Sequence, residues 1–154
     1  MELEFLKKSQ LVPTKIVLDD PEFQPLYQTD GAAGADLYAN LPDGDIVLHP
    51  GNRAIVDCGF SMAVPPGWEA QLRARSGLAT KGLSVVNSPA TIDEDYRGRI
   101  KVLLKNVGED PIEIKHKQRF AQMLLKPVWK FGWEVVDSLD ETNRGESGLG
   151  STGN

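Results

Sequence analysis

Along most of the chain, apolar and polar residues alternate with a period of two. From Ala54 to Val64 the even positions are Ala54, Val56, Cys58, Phe60, Met62 and Val64, all apolar. Asp57, Gly59 and Ser61 lie between them, and Ile55 and Ala63 interrupt the pattern. In WEAQLRAR (68–75), Ala70, Leu72 and Ala74 alternate with Glu69, Gln71, Arg73 and Arg75. In RIKVLLKN (99–106), Ile100, Val102 and Leu104 alternate with Arg99, Lys101 and Lys105. Successive side chains of a strand point to opposite faces, so these runs predict strands with one buried face and one wet face. TKIVL, GADLYA, DIVL, LSVV, IEI, RFAQMLL and WEVV are further strand candidates.

Turn signals separate these runs: LPDGD, HPGN, VPPGW, GEDP and KFGW. Ten prolines and fifteen glycines suit a protein of short strands and tight turns. Only SGLATKG (76–82) has helical character, and it is short. The pattern predicts one all-β domain, a jelly-roll-like barrel or sandwich with one short helix, over residues 1–136. In residues 137–154, DSLDETNRGESGLGSTGN, apolar side chains nearly vanish. Such a tail cannot build a core and is expected to stay unstructured until something binds it.

Composition narrows the function classes. With 154 residues and 40% hydrophobic content the chain is sized for one soluble domain. No apolar run reaches the length of a membrane span, and MELEFLKKSQ lacks a signal-peptide core. A single cysteine excludes an internal disulfide framework, so a cytoplasmic location is expected. Cys58 falls on the apolar face of its strand, as a structural thiol does. The net charge is −5 and the densest basic cluster, KHKQR (115–119), is short, which argues against nucleic acid as a partner. A small anion is still compatible, because a few arginines and backbone amides can dominate locally. There is no C-x-x-C or H-x-E, and His49 and His116 have no partner at metal-binding spacing, so no zinc site is predicted.

Four segments carry residue types that a packed core does not need. AGADLYA (33–39) sets Asp36 among small and strand-forming residues. ARSGLATKG (74–82) ends a strand with Arg75, Ser76 and Gly77 just before the helix, bringing a guanidinium, a hydroxyl and free amides together as an anion site. NSPATIDEDYRGRI (87–100) is hairpin-like and carries Asp93, Tyr96, Arg97 and Gly98. RFAQMLL (119–125) places Gln122 on the strand face of Phe120 and Leu124. Each also has a plainer reading: Asp36 as a turn cap, R-S-G as an ordinary turn, Tyr96 as core, Gln122 as partner of a buried backbone group. The tail adds G-x-x-x-x-G-S-T from Gly145, a phosphate-loop pattern without its lysine and with no helix-forming stretch after it.

AGADLYA, RSGLA, TIDEDYRGRI, RFAQMLL and a terminal RGxxGxGSTG, in that order, resemble the five motifs of the trimeric dUTPase family. The resemblance runs from about Gly31 to the end of the chain. Three positions depart from the family pattern: Leu149 where an aromatic is usual, Ser147 where glycine is usual, and Ala90 in place of a glycine before the T-I-D step.

The resemblance implies a β jelly roll assembled as a homotrimer with active sites shared between subunits. It further implies hydrolysis of dUTP to dUMP and pyrophosphate with Mg²⁺, which limits uracil incorporation into DNA and supplies dUMP. On that basis Asp93 is the base that activates water, and Asp36 reaches the water shell of a magnesium ion held by the triphosphate. Arg75, Ser76, Gly77 and Gln122 hold phosphates. Asn87, Ile92 and Tyr96 belong to the uracil and deoxyribose slot. Arg144, Gly148, Leu149, Gly150, Ser151 and Thr152 belong to a tail that closes over a neighbour's site, with leucine covering the base where a ring usually does.

Two rivals remain. A dCTP deaminase-type relative needs a glutamate on the strand after the hairpin, and RIKVLLKN has none. A dUTP-sensing regulatory trimer would keep the same residues. A purely structural jelly roll leaves Asp93, Gln122 and the tail unexplained.

Overall fold

The period-two runs fold as strands. The structure, a computed structural model, describes residues 10–151. It contains β1 (Lys15–Leu18), β2 (Ala35–Tyr38), β3 (Ile46–Leu48), β4 (Arg53–Ala63), β5 (Trp68–Ala74), β6 (Leu83–Val85), β7 (Ala90–Ile92), β8 (Arg99–Asn106), β9 (Ile112–Ile114) and β10 (Arg119–Pro127). A 3-10 turn spans Pro21–Phe23, and the one α-helix among the described residues, α1 (Ser76–Ala79), sits where SGLATKG predicted it. WEVV is the exception: residues 133–136 form no strand, and Trp133 and Val135 are exposed.

Two four-stranded sheets, β1-β4-β8-β6 and β2-β10-β5-β7, are joined by the small pair β3-β9, and every pairing is antiparallel. The sheets stay separate, so this is a jelly-roll sandwich and not a closed barrel. Their inner faces share one core. Val56, Phe60, Ile100 and Val102 come from one sheet, and Leu37, Leu72 and Phe120 from the other, all fully buried. Truncating either phenylalanine to alanine costs about 3–5 kcal/mol in a core of this kind.

β4 carries an irregularity the alternation could not show. Its register with β8 shifts between Asp57 and Ser61, so Cys58, Gly59 and Phe60 are buried in succession. Gly59 takes φ +79, donates its N–H to Asp57 Oδ1 at 2.6 Å, and lies under the Phe23 ring where a side chain has no room. Buried Cys58 has its thiol pushed well above the usual range, chiefly by desolvation. Asn106 is the one fully buried polar side chain among the described residues. It is satisfied, donating to Leu48 O at 2.8 Å and Asp110 O at 2.7 Å and accepting from Gly108 N. His116 is exposed, and its Nδ1 accepts a hydrogen bond from Leu41 N at 2.9 Å.

Candidate active site

Asp36 and Gln122 face each other across β2 and β10, and Gln122 is in turn level with Arg73 on β5. The pairing places a carboxylate, an amide and a guanidinium in one row across three strands. Asp36 is buried, and its charge is balanced by two arginines: Arg75 Nε lies 2.9 Å from Oδ1 and Arg119 Nη1 lies 3.4 Å from Oδ2. A carboxylate so placed is far from a simple turn cap, since leaving it unpaired would be strongly unfavourable. Gln122 Nε2 donates to Ala74 O at 2.9 Å, so the amide does satisfy a backbone group while its oxygen turns toward Gly34.

Immediately after β5 the backbone at Arg75 is still extended, and α1 begins at Ser76 with no side chain capping it. The amides of the first turn and the Ser76 hydroxyl are therefore open to a ligand. Asp36, Arg75, Ser76, Gly77 and Gln122, all predicted from sequence, line one hollow of about 460 Å³. Arg73 and Gln28 line it as well and were not predicted. Arg73 had a readable signal: it shares a strand face with Arg75 through the period of two. A larger hollow of about 720 Å³ lies beyond α1, toward Lys81 and Glu113, but the Thr80 hydroxyl beside it is already committed to Gly77 O.

The hairpin residues stand apart from this hollow. β7 pairs with β5, Ala90 opposite Leu72, and the Ala90 methyl is buried in the apolar core. Asn87, Asp93 and Tyr96 are exposed and Ile92 is half-buried, and none of them lines the hollow. The loop after β7 is held at both ends. Glu94 Oε2 accepts from Gly67 N at 2.6 Å, and the Tyr96 hydroxyl donates to Arg99 O at 2.9 Å. Gly98 lies against the Tyr96 ring, and a methyl there would meet the Tyr96 hydroxyl at 2.4 Å, so the ring would have to shift. The described part of the tail, up to Ser151, is likewise separate and exposed. Arg144 Nε donates to Ser147 O, Gly150 takes φ +82 and Leu149, unusually for leucine, φ +50. Ser151 is the last described residue, so Thr152 lies outside the described residues.

The jelly-roll sandwich thus carries on one sheet a buried carboxylate–arginine cluster beside an uncapped helix start, a set of donors that suits an anion better than an apolar ligand. The chain matches the dUTPase family model over residues 22–153. It is 54% identical over 130 residues to deoxyuridine 5'-triphosphate nucleotidohydrolase of Roseobacter denitrificans, covering 84% of this chain and 86% of the relative. It is 48% identical over 132 residues to the enzyme of the same name from Ehrlichia canis, again with 84% and 86% coverage. The fold is shared with the Staphylococcus bacteriophage 80alpha dUTPase solved with dUPNHPP, with TM-score 0.78 and 22% identity over 92% of this chain and 98% of the phage chain. It is also shared with a dUTPase of phage phi11 of S. aureus, solved with a structural Mg(II) ion, with TM-score 0.71 and 19% identity over 82% and 98% of the two chains. The chain belongs to the dUTPase family of dUTP diphosphatases.

Proposed function

We propose that this chain hydrolyses dUTP to dUMP and pyrophosphate as a homotrimer in which each active site draws on more than one subunit. The observation that carries this reading is the division of the predicted residues. Asp36, Arg75, Ser76, Gly77 and Gln122 line one hollow, whereas Asp93, Tyr96 and the tail do not. One chain thus presents a phosphate-binding half-site without a base. The exposed hairpin and tail are the missing parts, available to neighbours.

In the assembled site, Arg75, Ser76 and Gln122 grip the phosphates and Ser76 faces the oxygen between the α- and β-phosphorus. Asp93 of the hairpin takes a proton from the water that attacks the α-phosphorus, and the pair of electrons leaves with pyrophosphate. A carboxylate is a weak base. Orientation of the water and stabilisation of the developing charge therefore supply most of the acceleration. Asn87, Ile92 and Tyr96 form the uracil and deoxyribose slot. Ala90, whose methyl points into the core, leaves that slot unobstructed. Arg144, Gly148, Leu149, Gly150, Ser151 and Thr152 close over the triphosphate, with leucine as an apolar cover in place of a stacked ring.

Magnesium fits a limited role. Both oxygens of Asp36 are engaged by arginines, and among the described residues no three His, Cys, Asp or Glu side chains group as a metal cage. That donor set suits an ion carried by the triphosphate and touched by Asp36 through its water shell. When bound, the ion supplies charge neutralisation at the phosphate oxygens. Removing dUTP limits uracil incorporation into DNA, and dUMP is a precursor for thymidylate.

The test is pyrophosphate release from dUTP, dCTP, dTTP and UTP with Mg²⁺, beside an Asp93→Asn variant. Release from dUTP alone, reduced by about 10²-fold or more in the variant, is expected. Binding of dUTP without release would instead mark a nucleotide-sensing protein.

A further inference from the structure

Glu69, Gln71 and Arg73 occupy alternate positions of β5 and so project from one face of the strand. They are linked in series. Gln71 Nε2 donates to Glu69 Oε1 at 2.6 Å, and Arg73 Nη2 donates to Gln71 Oε1 at 2.6 Å. An ionised glutamate can only accept, which fixes which end of the Gln71 amide faces it. The amide oxygen is then left for Arg73, and the chain of bonds ends at the hollow that Arg73 lines.

Arg73 differs from the other arginines there. Arg75 and Arg119 both neutralise Asp36. Arg73 has no carboxylate within salt-bridge distance among the described residues, and its bond to Gln71 is to a neutral group. A guanidinium has five N–H donors in a planar fork, and only one is used here. Half-buried, oriented by its neighbours and level with Gln122 and Asp36, Arg73 is a pre-set cation with spare donors. A half-buried guanidinium held in place without a counter-ion suits an anion that arrives from outside.

We propose that Arg73 is an additional phosphate-binding residue that reads the length of the polyphosphate chain, with Gln71 and Glu69 as positioning residues. This rests on the reading of the hollow as the phosphate end of the site. Arg75 and Ser76, at the helix start, engage the phosphate nearest the nucleoside, and Arg73 engages the more distal ones. A nucleoside triphosphate gains from Arg73, and a monophosphate does not.

The experiment measures binding of dUTP (with its hydrolysis blocked by Asp93→Asn in every protein compared), dUMP and inorganic tripolyphosphate by calorimetry. Arg73→Gln is expected to weaken dUTP and tripolyphosphate by about tenfold while leaving dUMP unchanged. Arg73→Lys, which keeps the charge but not the fork, should recover part of the loss. Gln71→Leu should show a smaller loss with the same ligand pattern. Unchanged affinity for dUTP and tripolyphosphate in folded Arg73→Gln overturns the proposal, as does an equal loss for dUMP. No effect of Gln71→Leu overturns the positioning role. If the unsubstituted Arg73 protein binds tripolyphosphate but not dUTP, the nucleotide reading falls while the Arg73 comparison still decides this one. Binding of neither ligand sinks both.

Discussion

Gly34 shows how closely individual residues are fitted around the phosphate hollow. A methyl group in its place would lie 2.3 Å from Gln122 Oε1, and the amide is not free to swing away because its nitrogen is bonded to Ala74 O. Gly34→Ala must therefore displace Gln122 and cost that hydrogen bond, worth about 1 kcal/mol. The melting temperature should fall by roughly 2–4 °C. The KM for dUTP should rise by about tenfold, because the displaced amide is one of the groups that orients the phosphates. An unchanged KM, measured on protein that melts lower, would remove Gln122 from the substrate contacts. Residues of this kind differ in how readable they are. Asp36, Arg75, Ser76, Gly77 and Gln122 stood out because their types are wasted in a core and their order is distinctive. Arg119 did not, and Arg73 offered only its period-two spacing to Arg75, because an arginine on the outward face of a strand looks like any solvated charge until the neighbouring strand is known.

Among the elements, β1 is the one most dependent on a polar fastening. It is short, mostly exposed and paired only with β4. Just beyond it, Asp19 accepts from Arg99 Nη1 at 2.6 Å, while Arg99 also donates through Nε and Nη2 to Asp57 at 3.0 and 2.7 Å. The Arg99 hydrogen bonds hold Asp19 below its usual carboxylate value of 3.8. At Asp57, burial works in the opposite direction, but the bonds from Arg99 and Gly59 N outweigh it, so this carboxyl is lowered too. A lowered folded-state pKa means that the stabilisation is complete above about 3.8 and is lost as pH falls through the lower folded values. Asp57→Asn should reduce the melting temperature at pH 7 and flatten its decline as pH falls below about 3.8, with the two proteins drawing together at lower pH in thermal melts. Parallel curves offset by a constant amount would contradict the linkage. The strands themselves were legible from alternation because each needs only its own pattern to choose a buried face. The WEVV run was misleading for the converse reason. Its residues have strand propensity, yet a strand also needs a partner edge, and none pairs with residues 133–136 among the described residues.

At the scale of the whole molecule, the segment after β10 leaves Trp129, Phe131 and Trp133 at least 80% exposed, with the Phe131 and Trp133 rings stacked 4.6 Å apart. These rings are not core, as large aromatics near a strand commonly are. A run of exposed aromatics leading from the sandwich to the tail is suited to cover by further copies of the chain. Sedimentation should therefore show a trimer, and a chain ending before Arg144 should remain trimeric while its turnover of dUTP collapses. A truncated protein with undiminished turnover would exclude the tail from the site, and a 16.9 kDa species in solution would exclude the shared-site arrangement. Cys58 offers a way to watch the same tail. It is the only sulfhydryl in the chain, sealed in the sandwich with its thiolate form suppressed. The folded protein is in consequence silent toward maleimides and mild oxidants. A cysteine introduced at Ser147 becomes its sole reactive handle, so a single dye would report the opening and closing of the tail in real time against no background.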